Sequence, residues 1–340
     1  MKDGILVLYK PQNWTSSDCV AVCRRALGIK GVHGGRKVGH GGTLDPMATG
    51  VLPVFVGQAT RIMEYMELDT KTYVCCAKLG VTTDTLDIWG QILSETPWEE
   101  ARKTFGIDRF ALLDAVASFE GKIEQIPPKY SAVRVNGKRL YDYAYKGKEV
   151  DFEIKPRKAF VDRICVIDTD LETGQFAFEI ECSKGTYVRT ICSDIGEKLG
   201  CGCVMTALER TAVGNISIEQ ASVSAEDVKN MELGQLDGML LPADYPLVHF
   251  GKAVMPAERA EYFRMGNSIW LSQVNIAETP DPDVTGLVNA RGRDYSLIYK
   301  VYEQETGEFL GTGFLDQEEG RLKADKVFAA REKNAKEQQL

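Results

Sequence analysis

Short apolar runs bounded by turn residues recur along the chain, and they restrict its fold more than any other feature. Their lengths and their β-branched and aromatic residues are typical of strands, whereas stretches with helical spacing are fewer. These patterns predict an α+β fold with a mainly antiparallel mixed sheet. The clearest predicted strands are Ile5–Tyr9, Thr72–Leu79, Arg163–Asp168, Gln175–Cys182 and Ser296–Tyr302.

Helices are predicted at a small number of positions. Asp18 is the expected N-cap of a helix that runs to Leu27. Further helices are expected at Thr60–Glu67, Ile107–Ser118, Thr190–Leu199 and Glu258–Met265.

The length of 340 residues suggests more than one domain. A boundary is expected near Pro242–Pro246, so that residues 1–245 form a first domain and residues 246–327 a small β-rich module. Residues 328–340 are charged and poor in apolar side chains, and they are predicted to be a tail.

Charge is distributed unevenly along the chain. The formal net charge is −8, which by itself argues against a nucleic-acid partner. Between Cys19 and Leu44, however, there are five basic residues and no acidic one, and between Lys129 and Lys158 nine basic residues face four acidic ones. The chain can therefore present a basic surface despite its acidic total.

Several classes of protein are disfavoured by composition. The first apolar run, Ile5–Tyr9, is much shorter than the roughly 18 residues of a membrane helix, and no signal-peptide cleavage site follows it. The nine cysteines are therefore expected to be reduced thiols in a cytoplasmic protein. Because no C-x-x-C pair occurs and only three histidines are present, no metal site is predicted.

The densest motif is Lys37–Gly50, KVGHGGTLDPMATG, in which four glycines surround the carboxylate of Asp45. Glycine permits positive φ and close approach of a ligand, and Pro46 disfavours the helical region for Asp45. The motif indicates a shaped loop that presents one carboxylate. A plain Asp-Pro turn is the simpler interpretation, while a phosphate loop is disfavoured because no G-K-[S/T] ending follows.

Two further motifs contain candidate functional residues. In Cys182–Gly196, CSKGTYVRTICSDIG, Arg189 could hold a nearby carboxylate ionised, although an arginine at a strand end is more often a surface charge. In Lys129–Lys148, four tyrosines alternate with six basic residues, a pattern that suits either RNA binding or a solvated amphipathic segment.

In these motifs and in their order, the chain resembles the bacterial TruB family of tRNA pseudouridine synthases. The resemblance extends from Lys10 to Gly214, and the segment after Pro246 resembles the family's PUA-like RNA-binding domain more loosely. Besides the Asp45 loop, the shared motifs are Lys10-Pro11-x-x-x-Thr15-Ser16, Lys71-x-Tyr73, Thr83-Asp84-Thr85-x-Asp87-x-x-Gly90, Pro127-Pro128-x-Tyr130-Ser131-Ala132, Val135-Asn136-Gly137-Lys138-Arg139, Lys184-Gly185-Thr186-Tyr187-x-Arg189 and Leu208-x-Arg210-Thr211-x-x-Gly214.

The resemblance implies a function and a set of site residues. The family isomerises a uridine in the tRNA T-loop, at tRNA position 55, without a cofactor. Asp45 would be the catalytic carboxylate, acting by covalent addition or by promoting elimination to a glycal. Tyr73 would stack on the uracil and move protons, and Arg189 would pair with Asp45. Substrate-binding roles fall on His40, Tyr187, Leu208, Lys10, Thr43 and Lys184.

The resemblance also implies how RNA is held. Residues 127–155 would form a thumb loop over the T-stem-loop, and the target base would be extruded from its stack, with His40 in the vacated space. Contacts to the RNA backbone would come from Lys37, Lys129, Arg134, Lys138 and Arg139. The expected partner is tRNA alone, bound by a monomer that needs no metal, protein partner or membrane.

Three positions depart from the family pattern. Asn13 replaces a glycine, but asparagine tolerates left-handed backbone, so the turn is expected to persist. Glu209 stands where a basic residue is common, and Asn215-Ile216 replaces Pro-Phe.

Two rival functions remain after the resemblance is considered. A guide-RNA-dependent synthase shares the catalytic core, but it is disfavoured because the sequence starts directly at the first predicted strand, so that branch's N-terminal extension is not expected, and because the thumb segment resembles the bacterial stand-alone kind. A non-catalytic tRNA-binding protein or RNA-folding helper would keep the fold without the chemistry.

Overall fold

The structure is a computed structural model, and it describes residues 2–29, 36–131, 133–135, 138–140, 155–221 and 223–328. The strands, numbered in chain order, are β1 Gly4–Lys10, β2 Val38–His40, β3 Thr49–Val56, β4 Lys71–Leu79, β5 Val81–Thr83, β6 Ile92–Glu95, β7 Gly121–Gln125, β8 Arg134–Val135, β9 Lys138–Arg139, β10 Arg157–Asp170, β11 Gln175–Cys182, β12 Cys203–Val213, β13 Ile216–Ser217, β14 Val223–Ser224, β15 Gly251–Met255, β16 Ile269–Trp270, β17 Asn275–Glu278, β18 Ile298–Glu303, β19 Phe309–Asp316 and β20 Arg321–Val327.

The described part of the chain also contains α-helices and short 3₁₀ helices. The α-helices are α1 Ser16–Ala26, α2 Trp98–Phe105, α3 Arg109–Ala117, α4 Val188–Leu199, α5 Leu233–Gly238 and α6 Ala257–Arg264. The 3₁₀ helices are Gly57–Glu67, Ile218–Gln220, Val228–Asn230, Leu271–Gln273, Pro282–Val284 and Tyr295–Leu297.

Most of the strands belong to two sheets. The first has ten strands, in the order β14-β1-β3-β12-β4-β11-β10-β7, with β13 beside β12 and β2 beside β3. The second has six strands, in the order β16-β20-β19-β18-β15-β17. Most neighbouring strands are antiparallel, and the parallel pairs are β1 with β14, β3 with β12, and β15 with β18. The predicted α+β class with a mainly antiparallel mixed sheet is confirmed.

Helix α4 packs on one face of the first sheet. Its apolar residues recur at helical spacing, at Val188, Ile191, Cys192 and Ile195, and all four are buried in the same cluster as α3 and strands β4 and β11. This packing fixes the first turn of α4, which carries Arg189, against the sheet.

The predicted N-cap of the first helix is wrong. Thr15 caps α1 by accepting a hydrogen bond from the backbone N of Asp18, at 3.1 Å, and Asp18 accepts one from the backbone N of Thr15, at 2.9 Å. Asp18 is thus the third residue of the helix, and the pair forms a capping box. The predicted helix at Thr60–Glu67 begins earlier, at Gly57, and is a 3₁₀ helix.

Buried apolar side chains of the two sheets form one continuous cluster. Its members before residue 220 include Ile5, Val7, Val51, Phe55, Ile62 and Tyr65, and those after residue 240 include Leu247, Phe250, Val284, Tyr295, Ile298 and Phe328. The switch from the first sheet to the second falls between Ser224 and Gly251. The domain division at residue 245 and the PUA-like character of the second module stay predictions.

Polar contacts also join the two sheets. The hydroxyl of Tyr65 donates to a carboxylate oxygen of Asp325 at 2.5 Å, and that fully buried carboxylate also pairs with Arg291, at 3.0 Å, and with Arg293, at 2.5 Å. Nearby, the Lys326 ammonium lies 2.9 Å from a carboxylate oxygen of Glu64. Each buried charge at this junction therefore has an opposite charge beside it.

The nine cysteines all carry free thiols, and seven of them are buried. None of the helices in the described ranges is long and apolar enough to cross a membrane. The described residues also include no cluster of three or more His, Cys, Asp or Glu side chains that could hold a metal ion. The predicted charged tail lies outside the described residues, apart from Phe328.

Candidate active site

A cavity of about 390 Å³ opens beside the Asp45 loop. Its wall is formed by that loop, the 3₁₀ helix Gly57–Glu67, strands β4 and β12, and the segment that joins β11 to α4. Eight of the predicted site residues line it: His40, Thr43, Asp45, Tyr73, Lys184, Tyr187, Arg189 and Leu208. Residues far apart in sequence thus meet around one space.

The centre of the cavity is an ion pair between Asp45 and Arg189. The guanidinium Nη2 of Arg189 lies 2.8 Å from Oδ2 of Asp45, and Nη1 lies 3.7 Å from a carboxylate oxygen of Asp87. The Arg189 side chain is 6% exposed, whereas that of Asp45 is 41% exposed. The carboxylate therefore faces the open space while its partner is held behind it.

Arg189 is fixed by backbone carbonyls as well as by carboxylates. It donates hydrogen bonds to the carbonyl oxygens of Thr85, at 3.1 Å, and Tyr130, at 3.0 Å. A planar guanidinium with several acceptors is held in one orientation, so it also fixes the direction of the carboxylate that it contacts.

The Asp45 loop is anchored from below by the turn before α1 and by the first residues of that helix. The hydroxyl of Ser16 accepts from the backbone N of Leu44, at 2.9 Å, and donates to the carbonyl of Leu44, at 3.2 Å. The backbone N of Asn13 donates to the carbonyl of Pro46 at 2.8 Å. Asn13 has φ 66°, so the expected left-handed turn is confirmed.

Lys10 lies behind the loop and is not among the residues that line the cavity. Its ammonium is buried and donates to the carbonyls of Pro11, at 2.9 Å, and Pro46, at 3.2 Å. Burial lowers the pKa of Lys10 to about 8, although the charge of Asp45 acts in the opposite direction. Its position suits support of the loop better than contact with a ligand.

Tyr73 and Leu208 stand on the neighbouring strands β4 and β12. Strand pairing places Tyr73 opposite Arg210 and Leu208 opposite Cys75. Burial raises the pKa of the Tyr73 phenol, which keeps the hydroxyl protonated as a donor. A flat aromatic ring and an aliphatic side chain thus both contribute to the apolar part of the wall.

His40 and Tyr187 both line the cavity. Burial lowers the pKa of His40, and the nearby charge of Arg210 lowers it further, so its imidazole is kept neutral. Burial also raises the pKa of Tyr187. The side-chain amide of Gln125 accepts from the backbone N of Tyr187, at 3.0 Å, and donates to its carbonyl, at 3.1 Å.

The other predicted residues are Lys184, which was expected to bind substrate, and those expected to contact the RNA backbone. Lys184 lines the cavity, but its ammonium pairs with the carboxylate of Glu67. Lys37 and Lys129 are exposed and do not line the cavity. The side chains of Arg134, Lys138 and Arg139, like residues 141–154 of the predicted thumb loop, lie outside the described residues.

Sequence reasoning missed the supporting role of three buried polar residues: Ser16, Gln125 and Arg210. Each donates to or accepts from the backbone of a segment that lines the cavity. Ser16 and Arg210 belong to motifs that the sequence already singles out, so their motif positions were the available signal. Gln125 contacts a residue 62 positions away, and no local pattern indicates that contact.

The comparisons with known proteins agree with this fold. Residues 24–188 match the N-terminal domain model of TruB family pseudouridylate synthases, and residues 189–248 match the C-terminal domain model of tRNA pseudouridylate synthase B. The protein is therefore an isomerase of the pseudouridine synthase class. Within that class, the chain belongs to the TruB family.

Similar proteins come from several bacteria. The tRNA pseudouridine synthase B of Lactococcus lactis is 42% identical over 286 residues, which are 83% of each chain. Its counterpart from Escherichia coli O1:K1 is 35% identical over 331 residues, 94% of this chain and 93% of the other. Among solved structures, a chain in a Cbf5-Nop10-Gar1 complex matches with a TM-score of 0.67, 22% identity and coverage of 96% and 85%, which shows the shared fold.

Proposed function

We propose that this chain isomerises uridine to pseudouridine in the T-loop of tRNA, at tRNA position 55, with Asp45 as the catalytic carboxylate and without guide RNA or cofactor. The observation that carries the proposal is the pair of Asp45 and Arg189 at 2.8 Å, with the carboxylate open to the cavity and the guanidinium buried. The printed names of the relatives support tRNA as the substrate.

The geometry supports a carboxylate that acts on the ribose. The guanidinium of Arg189 lies against the Asp45 carboxylate and fixes its direction, so Asp45 is placed to act as a nucleophile or a base. The bond between N1 of uracil and C1′ of ribose breaks, either with addition of Asp45 to the ribose or with loss of a C2′ proton to give a glycal. The uracil then rotates and bonds to C1′ through C5, which displaces Asp45 from the ribose on the first route and lets C2′ regain its proton on the second. The C5 proton is then released and N1 takes up a proton. No electron acceptor or group donor is needed.

Tyr73 and Leu208 are proposed to hold the uracil between them. The cavity of about 390 Å³ has room for one nucleoside, but the target base is stacked in the folded T-loop. Extruding a base costs a few kcal/mol, which contacts in the pocket must offset. His40, neutral and at the cavity wall, is proposed to occupy the space that the base leaves.

The RNA is proposed to lie across the basic stretches 19–44 and 129–158, which include Lys37, Lys129, Arg134, Lys138 and Arg139. Affinity that depends on phosphate contacts falls steeply as salt is raised. The protein is proposed to act as a monomer in the cytoplasm, on tRNA alone.

Tritium release tests the proposal. Purified protein is mixed with transcribed tRNA that carries 5-tritiated uridine, with no other RNA or protein present. The wild type is expected to release tritium, Asp45→Asn to release none, and Asp114→Asn, which changes an exposed carboxylate on α3, to match the wild type. Retained release by Asp45→Asn would refute the role of Asp45. Absence of release from every variant, with tRNA still bound, would favour a guide-dependent enzyme or a binding protein.

A further inference from the structure

The cationic side chains of the cavity wall differ in how their charge is balanced. The four described ones are Lys71, Lys184, Arg189 and Arg210. Arg189 faces two carboxylates, and Lys184 pairs with Glu67. The Asp69 carboxylate acts on the charge of Lys71.

Arg210 has no such partner. Within the described part of the chain, no carboxylate lies within 4.0 Å of its guanidinium, although its side chain is among the largest fully buried ones. The guanidinium instead donates to backbone carbonyls of Val51, at 2.9 Å, Gly42, at 3.2 Å, and Thr43, at 3.5 Å. The hydroxyl of Tyr73 also hydrogen-bonds with the Arg210 side chain. These neutral groups solvate the charge but do not cancel it.

The location of this charge is set by the sheet. Leu208 and Arg210 are two positions apart on β12, so their side chains point to the same face of the sheet, which is the face that forms the cavity. Strand pairing places Arg210 directly opposite Tyr73. Gly50 makes this possible, because its φ is +103° and a Cβ there would lie 2.2 Å from the carbonyl oxygen of Arg210. The loop and the strand therefore approach backbone to backbone beneath the cavity.

Burying a charge without a counter-charge loses the favourable hydration of that charge, so an isolated buried guanidinium is unfavourable for stability alone. The cost is recovered when a ligand brings negative charge into the same low-dielectric space. Uracil does so in the proposed reaction. When the bond between N1 and C1′ breaks, its electron pair leaves with N1, and the base departs as an anion.

We propose that Arg210 stabilises this uracil anion and so lowers the barrier to breaking the N-glycosidic bond. The inference rests on the proposed function and holds for both routes, because the addition of Asp45 and the glycal route release the same anion. After rotation, the anion bonds to C1′ through C5 as the bond from C1′ to Asp45 breaks or, on the glycal route, as C2′ regains its proton. The C5 proton is then lost to solvent, and N1 takes up a proton. Arg210 itself gains and loses no proton.

A change of leaving group tests this role. T-arm hairpins carry one radiolabelled uridine or 5-fluorouridine at the target position, and enzyme in excess gives the first-turnover rate at which the N-linked nucleoside disappears. Fluorine withdraws electrons, so 5-fluorouracil is the more stable anion and depends less on outside stabilisation. We expect Arg210→Met to slow the uridine reaction about 100-fold and the 5-fluorouridine reaction only about 10-fold.

Two further variants separate charge from shape. Ser16→Ala removes both hydrogen bonds to Leu44 and loosens the same loop without changing its charge, so it should slow both substrates equally. Arg210→Lys keeps the charge but loses the planar guanidinium. The ratio of its 5-fluorouridine rate to its uridine rate should therefore stay near the wild-type ratio. The ratio is measured within one preparation, so partial unfolding of a variant does not affect it.

Equal slowing of both substrates by Arg210→Met would overturn the inference and leave Arg210 as a structural support. A lysine variant whose ratio matches that of the methionine variant would do the same. Failure of the proposed function appears separately, because the wild type would then form no pseudouridine from the uridine hairpin, and the inference would fall with it.

Discussion

The catalytic cavity and the junction between the two sheets both contain buried charges, but they balance them differently. At the junction, the fully buried Asp325 carboxylate is paired with Arg291 and Arg293 and accepts from Tyr65. In the cavity, Asp45 is open on one side and Arg210 has no carboxylate beside it among the described residues.

The difference separates charges that hold the fold together from charges that await a ligand. A charge whose partners are all within the protein contributes to stability, and its removal should be visible in unfolding. A charge with an open side contributes little to stability, and its removal should be visible in turnover. Substitutions at Asp45, Arg189, Asp325 and Asp69 test that division.

Asp45→Asn should give the largest loss. Turnover is expected to fall by roughly 10⁴-fold or more, because loss of a nucleophile or base leaves only binding and positioning. The free energy of unfolding should change little, since the side chain is 41% exposed. Tritium release and urea unfolding measure the two effects. A large loss of stability with residual turnover would mean that Asp45 is one of the charges that hold the fold together.

Arg189→Met should lower both the free energy of unfolding and the turnover rate, because this residue is buried but faces the cavity. Removing it leaves Asp87, with a side chain 9% exposed, without its cation, and breaking a buried pair from one side costs about 3 kcal/mol. Turnover should fall roughly 100-fold or more through loss of orientation of Asp45. Arg189→Lys, which keeps the charge, serves as the matched variant. Unchanged stability in the methionine variant would contradict this prediction.

Asp325→Ala should weaken the junction without impairing chemistry. Loss of two charged hydrogen-bond partners and of the Tyr65 contact is expected to cost about 2 kcal/mol in urea unfolding. First-turnover rates should stay at the wild-type value in the folded fraction. The control is Asp316→Ala, which removes a pair with Lys323 near the surface and should cost less than about 1 kcal/mol. A slower first turnover in Asp325→Ala would show that the junction also shapes the cavity.

Asp69 should make stability depend on pH. Burial raises the pKa of Asp69 to about 6, although Lys71 and His249 act against the rise. The folded state therefore keeps this proton in a range where the unfolded state has lost it, and stability should fall as pH rises from about 4 to about 6. Comparison with Asp69→Asn should reveal a difference of about 1 kcal/mol per pH unit in that slope. Parallel pH profiles for the two proteins would contradict this prediction.

The sequence predicts local features well where the signal lies within a few residues. Four strands of the first sheet (β1, β4, β10 and β11), the helix around Thr190–Leu199 and the glycine-rich loop of Asp45 follow from periodicity and turn residues. The cap of α1 was misplaced because Thr15 and Asp18 are both good capping residues, and local pattern does not tell which of them comes first.

The residue pattern does not predict contacts between residues that are far apart in sequence. Asp45 and Arg189 meet only because α4 packs on the sheet, and the resemblance, rather than spacing, indicated their pairing. Arg210 looked like part of a motif, and its missing counter-charge depends on the positions of every neighbouring carboxylate. The contact of Tyr65 with Asp325 spans 260 positions and has no local signature.

The apolar cluster shared by the two sheets has a consequence for how such a chain can be divided. Ile5, Phe55 and Tyr65 lose their cover if the chain ends before Leu247, so the first sheet would expose apolar surface once the second is removed. The second sheet is therefore not an independent module that recombination could replace with another. Any replacement would have to arrive with side chains that already fit that face, which ties the histories of the two halves together.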